Sequence, residues 1–221
     1  MSSTADEPIG EKKKRILRAI WRDKMHVEPT ALELSPPDVR LRFAHIWEPS
    51  QVLSSDLEVF PLGLLRTWQR SARGHLIFTH RATRYQPTAH LWRGRTIEGV
   101  CFLSLGDLCG TRQRALLALI NLFDHLLGSD AREGQPWLSD GAGINQALHE
   151  VGRHFAEVYA LGYGKRELGV ETAHDYLAHT LWAYLHDPRR LNVLDPLVYR
   201  LYQHTLMSEG FWLRMQEPQG A

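Results

Sequence analysis

Residues 115–130, ALLALINLFDHLLGSD, restrict the possible folds more than any other stretch. Leu116, Leu117, Leu119, Ile120, Leu122, Phe123, Leu126 and Leu127 leave no polar stripe for solvent, and a helix that is apolar nearly all round belongs inside a protein. Its polar members Asn121, Asp124 and His125 must then find partners, because a buried polar group without one is costly. A chain of 221 residues, 43% of them hydrophobic, is long enough to surround such a helix with a single domain.

The rest of the chain divides around that helix. From 27 to about 110 the pattern predicts a strand-rich half: ALEL (31–34), DVRLRFAHIW (38–47) with Val39, Leu41 and Phe43 alternating against Arg40 and Arg42, and LEVFP (57–61). HLIFTH (75–80) and TIEGVCFLSL (96–105) are apolar enough for central strands, with a loop or edge at Pro87 between them. LGLLRTWQRSARG reads as a short helix closed by Gly74. Helices follow at about 111–128, 143–161, 171–186 and 193–208, the first closed by Gly128 and the third stopped by Asp187-Pro188. Strands first and helices afterwards predict an α+β fold with a small mixed or antiparallel sheet and a buried central helix. One domain is expected over 27–215, preceded by a flexible tail and basic arm over 1–26.

Charge excludes little globally, since the net value is +1. It concentrates in EKKKRILRAIWRDK (11–24), where Lys12, Lys13, Lys14, Arg15, Arg18 and Arg22 surround an apolar stripe of Ile16, Leu17, Ile20 and Trp21. Such an arm either docks by the stripe or meets nucleic acid or anionic lipid. Cys101 and Cys109 have neither metal-ligand nor disulfide-framework spacing, and Cys101 reads as a small core residue. No apolar run is long enough for a membrane span and no signal-peptide core is present, so the cytoplasm is the expected address.

The order of a sheet, a buried helix and further helices resembles a compact zinc metallopeptidase. The C-terminal part, over about residues 55–190, resembles the catalytic domain of anthrax lethal factor and its bacterial relatives, a branch of the gluzincins, whose buried helix reads roughly HExxHxxDxxxG. Two His four apart hold zinc there, and the Glu polarises water. Alignment on FDHLLG (123–128) sets Asp124 and Gly128 on the family's aspartate and glycine. The metal positions then fall on Leu117 and Asn121, and the general-base position on Ala118. A second register keeps a His at 125 but puts Leu122 in place of the Glu. Downstream, LGYGKRELGVETAHDYLAH (161–179) resembles the family's tyrosine segment and third-ligand helix. The resemblance makes Tyr163 the oxyanion-stabilising tyrosine, Asp175 the third metal ligand in place of Glu, and His179 a later Glu.

What the resemblance implies is a metallopeptidase-like scaffold that has lost catalysis and serves as a protein-binding or structural module, with vestigial site residues Leu117, Ala118, Asn121, Tyr163 and Asp175 and no cofactor. On that reading Asn121 is expected to bond to Tyr163, Asp175 or His179. The alternative is a zinc hydrolase with relocated ligands drawn from Asp175, His179, His125 and His149, and with Glu150 or Glu171 as base. A further alternative is a nucleic-acid-binding accessory protein led by the arm. The helices 111–128 and 171–186 also suit the core of an unrelated α+β domain. HEVGRH (149–154) is not a zinc motif, because residues five apart point about 140° away from each other on a helix. Ser139 or Asp140 in WLSDGAG is expected to cap the next helix. Arg93 and Arg95 beside Trp92 suit either base stacking or packing at a rim.

Overall fold

A computed structural model describes residues 7–216. The chain opens with α1 (Ile9–Lys24), which runs directly into β1 (Met25–Val27). Three helices follow: α2 (Pro37–Arg42), α3 (Glu48–Leu57) and α4 (Leu62–Arg70). Ile16, Leu17 and Ile20 are buried where α1 lies along α4, and Trp21 meets Trp68 edge-on at 6.5 Å. Lys24 ends α1 with its ammonium donating to the carbonyls of Ser71 (2.7 Å) and Arg73. Burial holds its pKa down at about 8.

The stretch from 27 to 74 is therefore mostly helical, which corrects the expectation of strands at 31–34, 38–47 and 57–61. Alternating Val39, Leu41 and Phe43 fit a strand, but Val39 and Phe43 are also four apart. Those two are buried while Leu41 is 87% exposed, so the core selects the helical period. Pro36-Pro37 favours the same outcome by placing proline at the first helical turn, where its missing N–H is not needed. Residues 31–34 form helical turns, with Leu34 N–H donating to the Thr30 carbonyl. Leu57 closes α3 and is followed by a turn that buries Phe60.

The sheet comes next, with β2 (His75–Thr79), β3 (Arg84–Gln86), the hairpin strands β4 (His90–Trp92) and β5 (Arg95–Ile97), and β6 (Val100–Ser104). Its main part has the order β1-β2-β6-β3, with β1, β2 and β6 parallel and β3 antiparallel at one edge. Alternation then sorts the side chains. Leu76, Phe78, Cys101 and Leu103 enter the main core, whereas Ile77, Val100 and Phe102 form a smaller cluster under Trp92 and Ile97 of the hairpin.

After the short α5 (Leu105–Cys109), the buried helix α6 (Gln113–Ser129) crosses the sheet, and the Cys101 thiol donates to the Ala118 carbonyl. A single-turn helix at 138–140 leads to α7 (Gln146–Leu161), α8 (Lys165–Leu168) and α9 (Ala173–His186). The helix expected at 193–208 is α11 (Pro196–His204), and a further helix, α10 (Pro188–Leu194), precedes it; each is capped by an aspartate, Asp187 for α10 and Asp195 for α11, with proline behind it. Finally α12 (Glu209–Gln216) returns to α4. Its Glu209 carboxylate accepts from Leu62 N–H at the start of α4 and pairs with Lys13 at 3.0 Å. The fold is α+β, and among the described residues no helix is long and apolar enough to cross a membrane.

Gly128 does not terminate α6, as expected from sequence; the left-handed cap is Asp130, with φ of 59°. The glycine is needed instead for a close approach. A Cβ there would stand 2.3 Å from Leu138 N and 2.4 Å from the Trp137 carbonyl carbon. On the other side of the same turn, a Cβ on Gly152 of α7 would stand 2.3 Å from the Ala142 carbonyl oxygen. Two helices thus grip residues 137–142 through bare backbone. Gly128→Ala is expected to lower stability by about 1–3 kcal/mol or more through overpacking against backbone, read as a shift in the denaturant midpoint. An unchanged midpoint would contradict the close approach.

Candidate functional site

Of the polar residues of α6, Asp124 finds its partner in the gripped turn. Asp124 is 1% exposed. Its carboxylate accepts from Ser139 N–H at 2.8 Å and from the Ser139 hydroxyl at 2.6 Å. His174, in the first turn of α9, places Nδ1 2.8 Å from that hydroxyl and 3.5 Å from the carboxylate. His125 pairs through Nδ1 with the Tyr85 hydroxyl at 2.7 Å, linking α6 to edge strand β3. Trp137 fills the space between, stacked on His125 at 4.8 Å and tilted against His174 at 4.0 Å.

Electrostatics follow from burial and from these contacts. Burial pushes the Asp124 carboxyl up, opposed by its bonds to His174 and Ser139. For His174 burial disfavours the imidazolium, but the bond to Asp124 and the charges of Asp124, Asp140 and Asp175 outweigh it and raise the pKa above 6.5. Burial lowers His125 and raises Tyr85, so both stay neutral near pH 7.

Serine, histidine and aspartate together invite a hydrolase reading, and the geometry rejects it. In a nucleophilic triad the imidazole stands between the hydroxyl and the carboxylate. Here the hydroxyl stands in the middle, donates to the carboxylate and is 1% exposed. The cluster is a structural knot joining α6, the turn and α9. Sequence reasoning flagged Asp124 and His125 as buried polar groups, gave Ser139 the wrong task and missed His174. The cap of α7 is Asn145, whose side chain accepts from Leu148 N–H at 3.0 Å. Asp140 bonds to Trp137 N–H instead.

The knot fixes how α6 and α9 run. Asp124 meets His174 at one end, and Gln113 shares a cavity of about 190 Å³ with His179, Trp182 and Ala183 at the other. The helices are therefore antiparallel, with Leu117 and Asn121 on the stretch of α6 between these two points. Leu117 is partly buried, Ala118 is buried, and the Asn121 side-chain oxygen is buried without a hydrogen-bond partner. Asn121 makes none of the bonds to Tyr163, Asp175 or His179 expected from sequence.

Asp175 is exposed and committed to the start of α9, its N–H donating to the Thr172 hydroxyl, which in turn donates to the Asp175 carboxylate. The Tyr163 side chain is 54% exposed, and its carbonyl accepts from the Tyr176 hydroxyl. His149, Glu150 and Glu171 lie on the surface, with Glu150 accepting from Gln146. Among the described residues no group of three or more His, Cys, Asp or Glu is arranged to hold a metal ion.

The basic arm is also partly neutralised within the chain. Lys13 pairs with Glu209, Lys14 with Glu11, Arg15 with Glu7 and Arg22 with Asp23.

No family model, no curated protein and no solved structure matches the chain.

The knot makes stability depend on pH. Folding raises the His174 pKa, so the protonated ring stabilises the fold fully below pH 6.5 and that contribution is lost as pH rises through the raised value. The melting temperature is expected to fall over this window in the parent chain and to fall less in His174→Gln. Equal slopes in the two proteins would contradict the assignment. Ser139→Ala, which removes a hydrogen bond to a buried carboxylate, is expected to cost about 1.5–3 kcal/mol in chemical denaturation.

Proposed function

We propose that this chain is a metallopeptidase-like scaffold without its reaction, used to bind another protein. The observation that carries the reading is the composition of the α6 face between the two points that fix α9. There the residues are Leu117, Ala118 and Asn121. Leucine and alanine side chains have no lone pair for a metal and no proton to exchange. The Asn121 amide is neutral, and the Asp175 carboxylate is engaged in accepting from the hydroxyl of Thr172, the cap of α9. These residues do not fit a zinc ion, so no hydrolytic step is assigned to them.

Three features support the zincin-like kinship. A mixed sheet with one antiparallel edge strand covers a buried helix. A second helix packs antiparallel to it, and the aspartate expected on the buried helix is at the centre of the knot. The relocated-ligand alternative has less support, because His125 is buried against Tyr85 and Trp137 while His149 and Asp175 are on the surface. Binding of an extended segment is supported by β3, which pairs with β6 on one side only. A strand with one unpaired edge can accept another chain by strand addition.

The kinship can be tested by restoring donors. In the double variant L117H/N121H the two rings would lie four residues apart on one helix face, as a zinc pair requires. The scaffold reading predicts a melting temperature that rises with added zinc, and an apparent zinc affinity that falls at least about tenfold when Asp175→Ala is added. Circular dichroism of each variant checks that it is folded. Zinc affinity indifferent to Asp175 would show that α9 does not supply a ligand position and would contradict the kinship.

A further inference from the structure

The strongest unassigned feature is a concentration of unpaired positive charge. The whole chain is nearly balanced, with 26 Lys and Arg against 25 Asp and Glu. Residues 79–97 nevertheless contain Arg81, Arg84, Arg93 and Arg95 and no acidic residue. All four are exposed. Among the described residues none of them joins an ion pair, although most of the bases on α1 do. Like charges gathered this way repel one another, and an acidic partner relieves that repulsion.

The charges sit where a strand can be added. Arg84 is in β3, the edge strand, and its guanidinium lies 3.9 Å over the Phe102 ring, on the sheet face that carries the β4–β5 hairpin. His90 meets the same ring edge-on at 5.1 Å. Arg93 lies over Trp92 at 5.5 Å, and Arg95 pairs with Trp92 across the hairpin. Trp92 and Ile97 anchor the hairpin on Ile77, Val100 and Phe102. Leu91 is 71% exposed on its outer side.

Resting on the protein-binding reading above, we propose that β3 and the β4–β5 hairpin recognise an extended acidic segment of a partner protein. The segment adds as a strand to the free edge of β3. Its side chains alternate, so every second one faces the hairpin, and Asp or Glu at those positions meets Arg84, Arg93 and Arg95. Three observations favour this occupant over others. An unpaired edge presents N–H and C=O groups spaced for another backbone, which a nucleic acid does not match. The rings of Phe102 and Trp92 are already covered by arginines of the chain, so they are not open faces for stacking bases. A second copy of this chain would bring a like-charged hairpin against the first.

Fluorescence polarisation with the full chain tests the proposal. The probe is a fluorescein-labelled peptide in which Glu alternates with Thr; controls replace Glu by Gln or by Lys, and oligo-dT serves as competitor. The Glu peptide is expected to bind at least about tenfold more tightly than the Gln peptide. R93E/R95E, at two exposed positions of the hairpin turn, is expected to lose at least about tenfold for the Glu peptide and to gain binding of the Lys peptide. Hydrogen exchange is expected to slow at residues 84–86 on binding. Equal affinity for the Glu and Gln peptides, no effect of R93E/R95E, or no binding at all would overturn it. Oligo-dT that binds more tightly than the Glu peptide would assign the surface to nucleic acid instead. The zinc test uses α6 variants and this one hairpin variants, so either reading can fail alone.

Discussion

A carboxylate taken out of water destabilises a protein unless its oxygens are fully bonded, and the Asp124 carboxylate organises the C-terminal half for that reason. Both its oxygens are occupied by Ser139, and His174 closes the arrangement from α9. None of these bonds can form unless the turn at 137–142 comes within backbone contact of α6 and α7. Gly128 and Gly152 make that approach possible by having no side chain where the turn passes. Polar satisfaction and close packing thus specify the same geometry. Loss of either is felt by the other, because the hydroxyl that bonds Asp124 is delivered by the turn that the glycines admit.

The knot also separates two roles that α6 would otherwise combine. Near its C-terminal end the helix keeps Asp124, whose carboxylate is bonded by Ser139, and His125, whose Nδ1 is bonded to Tyr85. One to two turns earlier, at Leu117 and Ala118, it has hydrocarbon, and hydrocarbon stabilises by burial without metal, proton or cofactor. In the scaffold reading this substitution makes the domain independent of zinc, at the loss of any means of polarising water. Residual polarity at Asn121, whose side-chain oxygen is buried and unpaired, is a local defect of about 1–3 kcal/mol by comparison with other unsatisfied groups. On that reading function is left to the surface, where β3 is an edge strand with exposed Arg84, and Arg93 and Arg95 lie on the neighbouring hairpin.

Legibility in the sequence tracked how local each signal was. Helix α6 was readable because its apolar character has no competing period, and β2 and β6 were readable as dense apolar runs. Residues 38–47 were not, because Val39 and Phe43 satisfy both periods and only the exposure of Leu41 decides between them. The helices of 188–204 were half visible: Asp187-Pro188 reads as a stop for the preceding helix, but it also starts α10, a second role that a stop signal alone does not reveal. At the site, Asp124 and His125 announced themselves as polar groups on a buried helix. Their partners did not, since Ser139 lies 15 residues from Asp124 and His174 a further 35. Such pairings are created by tertiary packing and have no sequence spacing to betray them.

In the scaffold reading, hydrocarbon on α6 occupies the place of a catalytic metal. Metal analysis of the purified native chain, combined with melting curves in added zinc and in chelator, tests it most directly. Substoichiometric zinc is expected, with a melting temperature that neither zinc nor chelator moves. One zinc per chain, lost in Asp175→Ala and His179→Ala, would contradict it.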